Sequence, residues 1–197
     1  MDERLLLEIL ERKGLVTACQ LSALQEEAGG NWQAAAAGLL RKKRVVLCRL
    51  DHGRETLLSL HLLFCLRVVC GEYSLTAAAQ EVYDFLAENG AATLRQAQSV
   101  PQLASVKVPE AFAELQRKVC IMPLVLQNGA QWQEEGRGGM LDAGALLWVC
   151  DEAWMQGVRR PVRYGDLEYC LAELRRLLAG VFSTRELNTL LYQGALE

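Results

Sequence analysis

The stretch LERKGLVTACQ at residues 10–20 returns as LAENGAATLRQ at residues 86–96, placing Leu10, Gly14, Thr17 and Gln20 on Leu86, Gly90, Thr93 and Gln96. The offset is the same for every pair, with no gap. Further along, at that same offset, Ala35, Ala37, Leu39, Arg41, Lys42, Leu50 and Gly53 fall on Ala111, Ala113, Leu115, Arg117, Lys118, Leu126 and Gly129. Leu6 with Val82, Ile9 with Phe85 and Val45 with Ile121 fill the intervals conservatively. Self-similarity at one fixed period marks two copies of a single supersecondary unit.

Each copy reads the same way. A first helix, Asp2 to Lys13 or Leu75 to Asn89, carries apolar residues at helical spacing (Leu6, Ile9, Leu10; Val82, Phe85, Leu86). It stops at Gly14 or Gly90, the residue type that tolerates a left-handed C-terminal cap. Thr17-x-x-Gln20 and Thr93-x-x-Gln96 then fit a capping box that opens a second helix, which gives both Gln residues a structural role. A third helix runs from about Asn31 to Lys43 and from about Val108 to Lys118, burying Trp32, Ala36, Leu39 and Leu40 or Val108, Ala111, Phe112 and Leu115.

After the third helix the apolar period changes to two. Val45 to Leu50, the turn Asp51-His52-Gly53 and Glu55 to Leu58 predict a β-hairpin. Cys120 to Gln127, the turn Asn128-Gly129 and Gln131 to Glu134 predict its counterpart, with Pro123 confining that strand to an edge or a bulge. Three helices followed by a hairpin is the winged-helix form of the helix-turn-helix. The predicted fold class is mainly α with small β-hairpins (α+β): tandem winged-helix modules with a helical C-terminal region. The first module spans residues 1–58, a connecting helix (Leu62, Leu63, Leu66, Val69) residues 59–73, and the second module residues 74–135. The C-terminal region, 140–197, is expected to hold helices near Met140 to Met155 and Asp166 to Leu178, then a Ser183-x-x-Glu186 start signal of a truncated third helix-turn-helix.

Composition supports a folded, helix-rich protein. Of 197 residues 51% are hydrophobic, mostly Leu and Ala, and 23% are charged, too few to keep a chain unfolded. A net charge of -3 excludes attachment to nucleic acid or anionic lipid by bulk charge, so such binding must come from local patches. The acidic start Met1-Asp2-Glu3 lacks the basic flank of a secretory signal, and no apolar run is long enough for a bilayer, so a soluble cytoplasmic protein without membrane partners is expected. Seven scattered Cys without a CxxC pair, beside only His52 and His61, read as reduced core thiols rather than a metal site. No nucleophile elbow, phosphate loop or dinucleotide fingerprint is present, and no cofactor is expected.

Gly53-Arg-Glu-Thr-Leu-Leu-Ser-Leu60, the helix Ala79-Gln-Glu-Val-Tyr-Asp-Phe-Leu-Ala-Glu-Asn-Gly90, and Ala111-Phe-Ala-Glu-Leu-Gln-Arg-Lys118 running into a strand carry a resemblance to a known family. Over about half of its length the chain resembles the AlkZ-like winged-helix family, in particular the shorter AlkZ-related members. These are bacterial tandem winged-helix proteins, some of them DNA glycosylases. The resemblance implies double-stranded DNA as partner and a regulatory or repair-associated role. Glycosylase members use a Gln-x-Gln or Gln-x-Asp pair, and Gln96-Ala97-Gln98 is present here. Gln96, however, is already half of a capping box, and no catalytic residue is carried over.

The candidate DNA-binding residues cluster around the third helices and their hairpins: Asn31, Gln33, Arg41, Lys42, Lys43, Arg44, Arg49, His52 and Arg54 in the first copy, Lys107, Arg117 and Lys118 in the second. Clustered cations release counterions on contact with phosphates, and a wing arginine enters a minor groove. The same cations also suit a helix C-terminus for its dipole alone. Glu110 and Glu114 make the second copy the weaker one. Two alternatives therefore stand beside a non-catalytic DNA-binding protein: a protein-interaction scaffold of tandem winged helices, and a glycosylase-like enzyme. Trp148 and Trp154 could stack on bases but are expected in the core or on a dimer face, a protein partner or homodimer is allowed for, and Arg159-Arg-Pro-Val-Arg163 is a second basic run in a solvated loop.

Overall fold

A computed structural model of the chain describes residues 2–29, 31–51, 54–70, 74–124, 146–158 and 166–192. It is a mixed α/β structure, mostly helical, with two small antiparallel sheets. The first copy comprises α1 (Glu3–Lys13), β1 (Leu15–Thr17), α2 (Ala18–Ala28), α3 (Trp32–Arg41), β2 (Val45–Asp51) and β3 (Arg54–Ser59), followed by α4 (Leu60–Cys70). The second comprises α5 (Ala77–Asn89), α6 (Leu94–Gln98), a 3-10 turn (Pro101–Leu103), α7 (Val108–Arg117), β4 (Ile121–Leu124) and β5 (Leu147–Cys150), followed by α8 (Asp151–Met155). Then come α9 (Leu167–Leu178) and α10 (Thr184–Tyr192).

Local chemistry fixes the ends of these helices. Gly14 and Gly90 stop α1 and α5 with φ of 79° and 80°, as expected, but their ψ of -47° and -133° lie outside the left-handed helical region. Both conformations are reserved for glycine. The capping boxes form in both copies: the Thr17 hydroxyl accepts from the Gln20 N–H and the Thr93 hydroxyl from the Gln96 N–H, while each Gln side chain accepts from its Thr N–H. Ser183 and Glu186 repeat the arrangement at the start of α10. Helix α6 is about half the length of α2 because Pro101 diverts the chain into the 3-10 turn.

The third helices end alike. Lys43 and Val119, equivalent positions of the two copies, adopt φ of 51° and 55°, and the next N–H groups, of Arg44 and Cys120, bond back to the carbonyls of Leu39 and Leu115 at 2.9 and 2.8 Å. This is the 6→1 bond of a Schellman turn, made here without glycine.

The first hairpin joins β2 to β3, and β1 adds to it in the order β1-β3-β2, a strand too short to be legible beforehand. His52 and Gly53 lie outside the described residues. The second hairpin differs from expectation. Among the described residues the partner of β4 is β5; Gln131 to Glu134, expected in that place, lies with Asn128 and Gly129 outside the described residues. Trp148 explains the choice: it pairs with Pro123 on one side and bridges Ala92 on the other, and is buried to 2% exposure. The helix expected near Met140 to Met155 is therefore a strand followed by the short α8, and its residues 140–145 lie outside the described residues.

With β5 in place the copies align further than the sequence revealed. Leu57 pairs with Val16 and Leu47, and Trp148 sits opposite Ala92 and Pro123, which are the repeat equivalents of Val16 and Leu47. The return strand alone breaks the offset. The residue equivalent to Leu57 by sequence is Gln133, but Trp148 takes its place, so β4 and β5 stand further apart in sequence than β2 and β3. Helix α8 then follows β5 directly, just as α4 follows β3. Pro123 occupies an edge strand of the two-stranded sheet, which spares it a ladder bond it cannot make.

Both faces of the first sheet are covered. Val16, Val45, Leu47 and Leu57 join a core shared with α1, α3, α5 and α7. Leu15, Val46, Cys48, Leu50 and Leu58 face a second core built by α4, α9 and α10, to which β4, β5 and α8 add Met122, Val149 and Trp154. Trp148 and Trp154 are thus core residues, as are Cys48, Cys65, Cys120, Cys150 and Cys170, all free thiols; Cys19, contrary to expectation, is exposed. No described helix is long and apolar enough to cross a membrane.

Candidate nucleic-acid interface

Helix α3 offers little surface for reading bases. Seven of its ten residues are buried, and the outward positions are Ala34, the half-buried Gln33 and Arg41. Asn31 is exposed, but its side chain accepts from the Ala34 N–H at 3.1 Å and so caps the helix. Gly38 lies under the carboxylate of Glu3, so close that a Cβ there would overlap Oε1.

The four-cation turn divides into two bound and two free groups among the described residues. Lys42 Nζ donates to Glu3 Oε2 at 2.5 Å. Lys43 Nζ donates to the carbonyls of Trp154 and Gln156 at 2.7 and 3.3 Å and stands 5.5 Å from the Trp154 ring, which pins the turn to α8. Arg41 and Arg44 are exposed and have no hydrogen-bond or ion-pair partner among the described residues. On the hairpin, Arg49 lies 3.8 Å from Glu55 and Arg54 pairs with the buried Asp51 at 2.9 Å. His52 lies outside the described residues, as does the basic run 159–163.

The second copy is more acidic, as expected. Lys107 pairs with Glu110 at 3.3 Å, Lys118 with Glu114 at 3.0 Å and with the Ser74 carbonyl, and of the three candidate cations Arg117 alone is exposed without a partner among the described residues. Glu114 also accepts from the Thr76 N–H and hydroxyl at the start of α5. Burial disfavours its charge, but the bonds from Thr76 and Lys118 outweigh that and hold the carboxyl below its ordinary 4.5.

Gln96 is engaged in its capping box and Gln98 is exposed nearby, while Ala97 between them is buried. Cys48 and Cys120 are poor nucleophiles, since burial pushes their thiols up to about 12 and about 11. Among the described residues no group of three or more His, Cys, Asp or Glu is arranged to hold a metal ion.

Two arrangements were not legible in the sequence. One is the Glu3 carboxylate on α3. The other is a polar knot in which buried Asp151, at the start of α8, pairs with Arg67 of α4 and accepts from the Tyr83 hydroxyl of α5 at 2.8 Å. Burial raises the Tyr83 phenol to about 12, so it stays a donor at any ordinary pH. These partners come from separate helices and no local pattern announces them. No family model, curated protein or solved structure matches this chain.

Proposed function

We propose that the chain is a tandem of two winged-helix modules under a helical C-terminal cap. Its function on this reading is to bind double-stranded DNA through phosphate contacts at the turn after α3, without catalysing a reaction, in a regulatory or repair-associated role. The order helix, strand, helix, helix, strand, strand in the first copy, and the matching order with Ala92 in place of β1 in the second, support the modular reading.

The observation that carries the DNA reading is the pair Arg41 and Arg44: two exposed guanidinium groups flanking the turn that follows α3, with no internal carboxylate among the described residues to neutralise them. Guanidinium forks match phosphate geometry. The near-total burial of α3 makes the contact blind to base sequence, because sequence is read by side chains that reach base edges. Mobility shift at low salt on two duplexes of unrelated sequence tests this: equal shifts are expected, weakened alike by Arg41→Ala and Arg44→Ala. A base-excision assay on alkylated duplex is expected to give no product.

A second reading, a protein-interaction scaffold, is favoured by the neutralisation of the cations Lys107 and Lys118 by Glu110 and Glu114 in the second copy. It replaces the first where no duplex is shifted at any salt concentration.

A further inference from the structure

The lysine that follows each third helix, Lys42 or Lys118, is paired with a carboxylate in both copies. In the first copy Lys42 is paired with Glu3, which belongs to the first turn of α1 and reaches across to lie on Gly38 of α3. In the second, the position of Glu3 is held by Ala79 and that of Gly38 by Glu114. Glu114 of α7 reaches the other way, to Thr76 at the start of α5, and pairs with Lys118. A carboxylate thus stands between the start of the first helix and the end of the third in both copies, supplied from opposite sides.

The two arrangements differ in what the carboxylate does besides. Glu114 is tied by Thr76 as well as Lys118, and its side chain is only 13% exposed. Glu3 is 38% exposed and bonds only to Lys42, itself 63% exposed, among the described residues. Its Oε1 lies over the bare backbone at Gly38, where a side chain would expel it. Removing this one carboxylate charge therefore releases Lys42 from its partner among the described residues. Lys42 also lies between Arg41 and Arg44 in the chain.

We infer that Glu3 is a built-in competitor for phosphate, an anionic cover that withholds Lys42 from the cationic turn and so lowers the affinity of the first module for a polyanionic backbone. The inference rests on the DNA reading above and deepens it by assigning the turn two standing cations, Arg41 and Arg44, and one covered cation. In Glu3→Gln the shape over Gly38 is kept and the charge removed, so Lys42 becomes available for one further phosphate.

The experiment is fluorescence anisotropy on a labelled duplex between about 50 and 200 mM salt, with wild type, Glu3→Gln, Lys42→Ala and the double variant. Each added phosphate contact steepens the plot of log K against log salt by about 0.9. Over the fourfold salt range Glu3→Gln should therefore lose about 3.5-fold more affinity than wild type, while binding more tightly at the low-salt end. Lys42→Ala should leave the wild-type slope unchanged and should abolish the gain in the Glu3→Gln background. Equal slopes for wild type and Glu3→Gln, or a shallower slope for Lys42→Ala alone, overturn the inference while leaving DNA binding standing. Absence of salt-dependent binding in all four proteins removes the DNA reading and the inference with it. Matched urea midpoints of the four proteins separate these outcomes from a folding defect.

Discussion

Gly14 and Gly90 hold equivalent places in the two copies. Both end the first helix of a copy at a φ near 80°, where a side chain is strained wherever it points. Their surroundings differ. A Cβ at Gly90 meets nothing within 4 Å, whereas one at Gly14 stands 3.0 Å from Leu177 Cβ, 3.2 Å from Leu177 Cδ1 and 3.2 Å from Leu62 Cδ2. The cause is α9, which packs over the first copy on the far side of its sheet. Gly90→Ala should therefore cost only the strained conformation, about 1–3 kcal/mol. Gly14→Ala should cost that and a further overpacking penalty of about 1–3 kcal/mol, because Leu177 Cβ belongs to a packed helix and cannot swing aside. Urea unfolding followed by circular dichroism measures both. The midpoint should fall in each variant and further in Gly14→Ala, with an unchanged denaturant slope, since neither alters the surface exposed on unfolding. A loss in Gly14→Ala no larger than strain alone, about 1–3 kcal/mol, would refute the docking of α9 on Gly14.

Two further outcomes follow from side-chain bonds. Thr17→Ala and Thr93→Ala each remove the hydroxyl that accepts from the third residue of its helix, and each should lower stability by about 0.5–2 kcal/mol in the same urea assay. Glu173 of α9 is held down to about 2, chiefly by its bond from Arg176, against the opposing effect of burial and with help from His61 of α4. A depressed carboxyl contributes stability that is present above its ordinary 4.5 and lost as the pH falls toward 2. The difference in midpoint between wild type and Glu173→Gln should therefore shrink as the pH falls from about 4.5 toward about 2; a difference that stays level over that range contradicts the assignment.

What the sequence disclosed was what local chemistry decides. The Gly stops, the three start boxes at Thr17, Thr93 and Ser183, and the third helices all stand within a residue or two of their expected places, because each is set by neighbours close by in the chain. The pairing of β4 with β5 was not foreseen, for the converse reason. Asn128-Gly129 is the strongest short-range turn signal, and Leu147, Trp148 and Val149 form an apolar run too short to tell strand from helix. The partner that decides it, Ala92, lies far back in the chain, between α5 and α6.

The candidate interface was legible as a list of cations but not as a surface. Nothing near Lys42 or Lys43 in sequence shows that the first is covered by Glu3 of α1 and the second anchored to α8. Nor does alternation in β2 show that both faces of the sheet are covered, since a strand buried on both sides requires knowledge of α9 and α10.

The central claim, that DNA is held through phosphates at the turn after α3, is tested most directly by the salt dependence of duplex binding in wild type and in the double variant Arg41→Ala/Arg44→Ala. With two phosphate contacts removed, the slope of log K against log salt should become shallower by about 1.8, by the same amount on duplexes of unrelated sequence. A slope unchanged by the double variant, or a wild type that binds no duplex even at about 50 mM salt, contradicts the account.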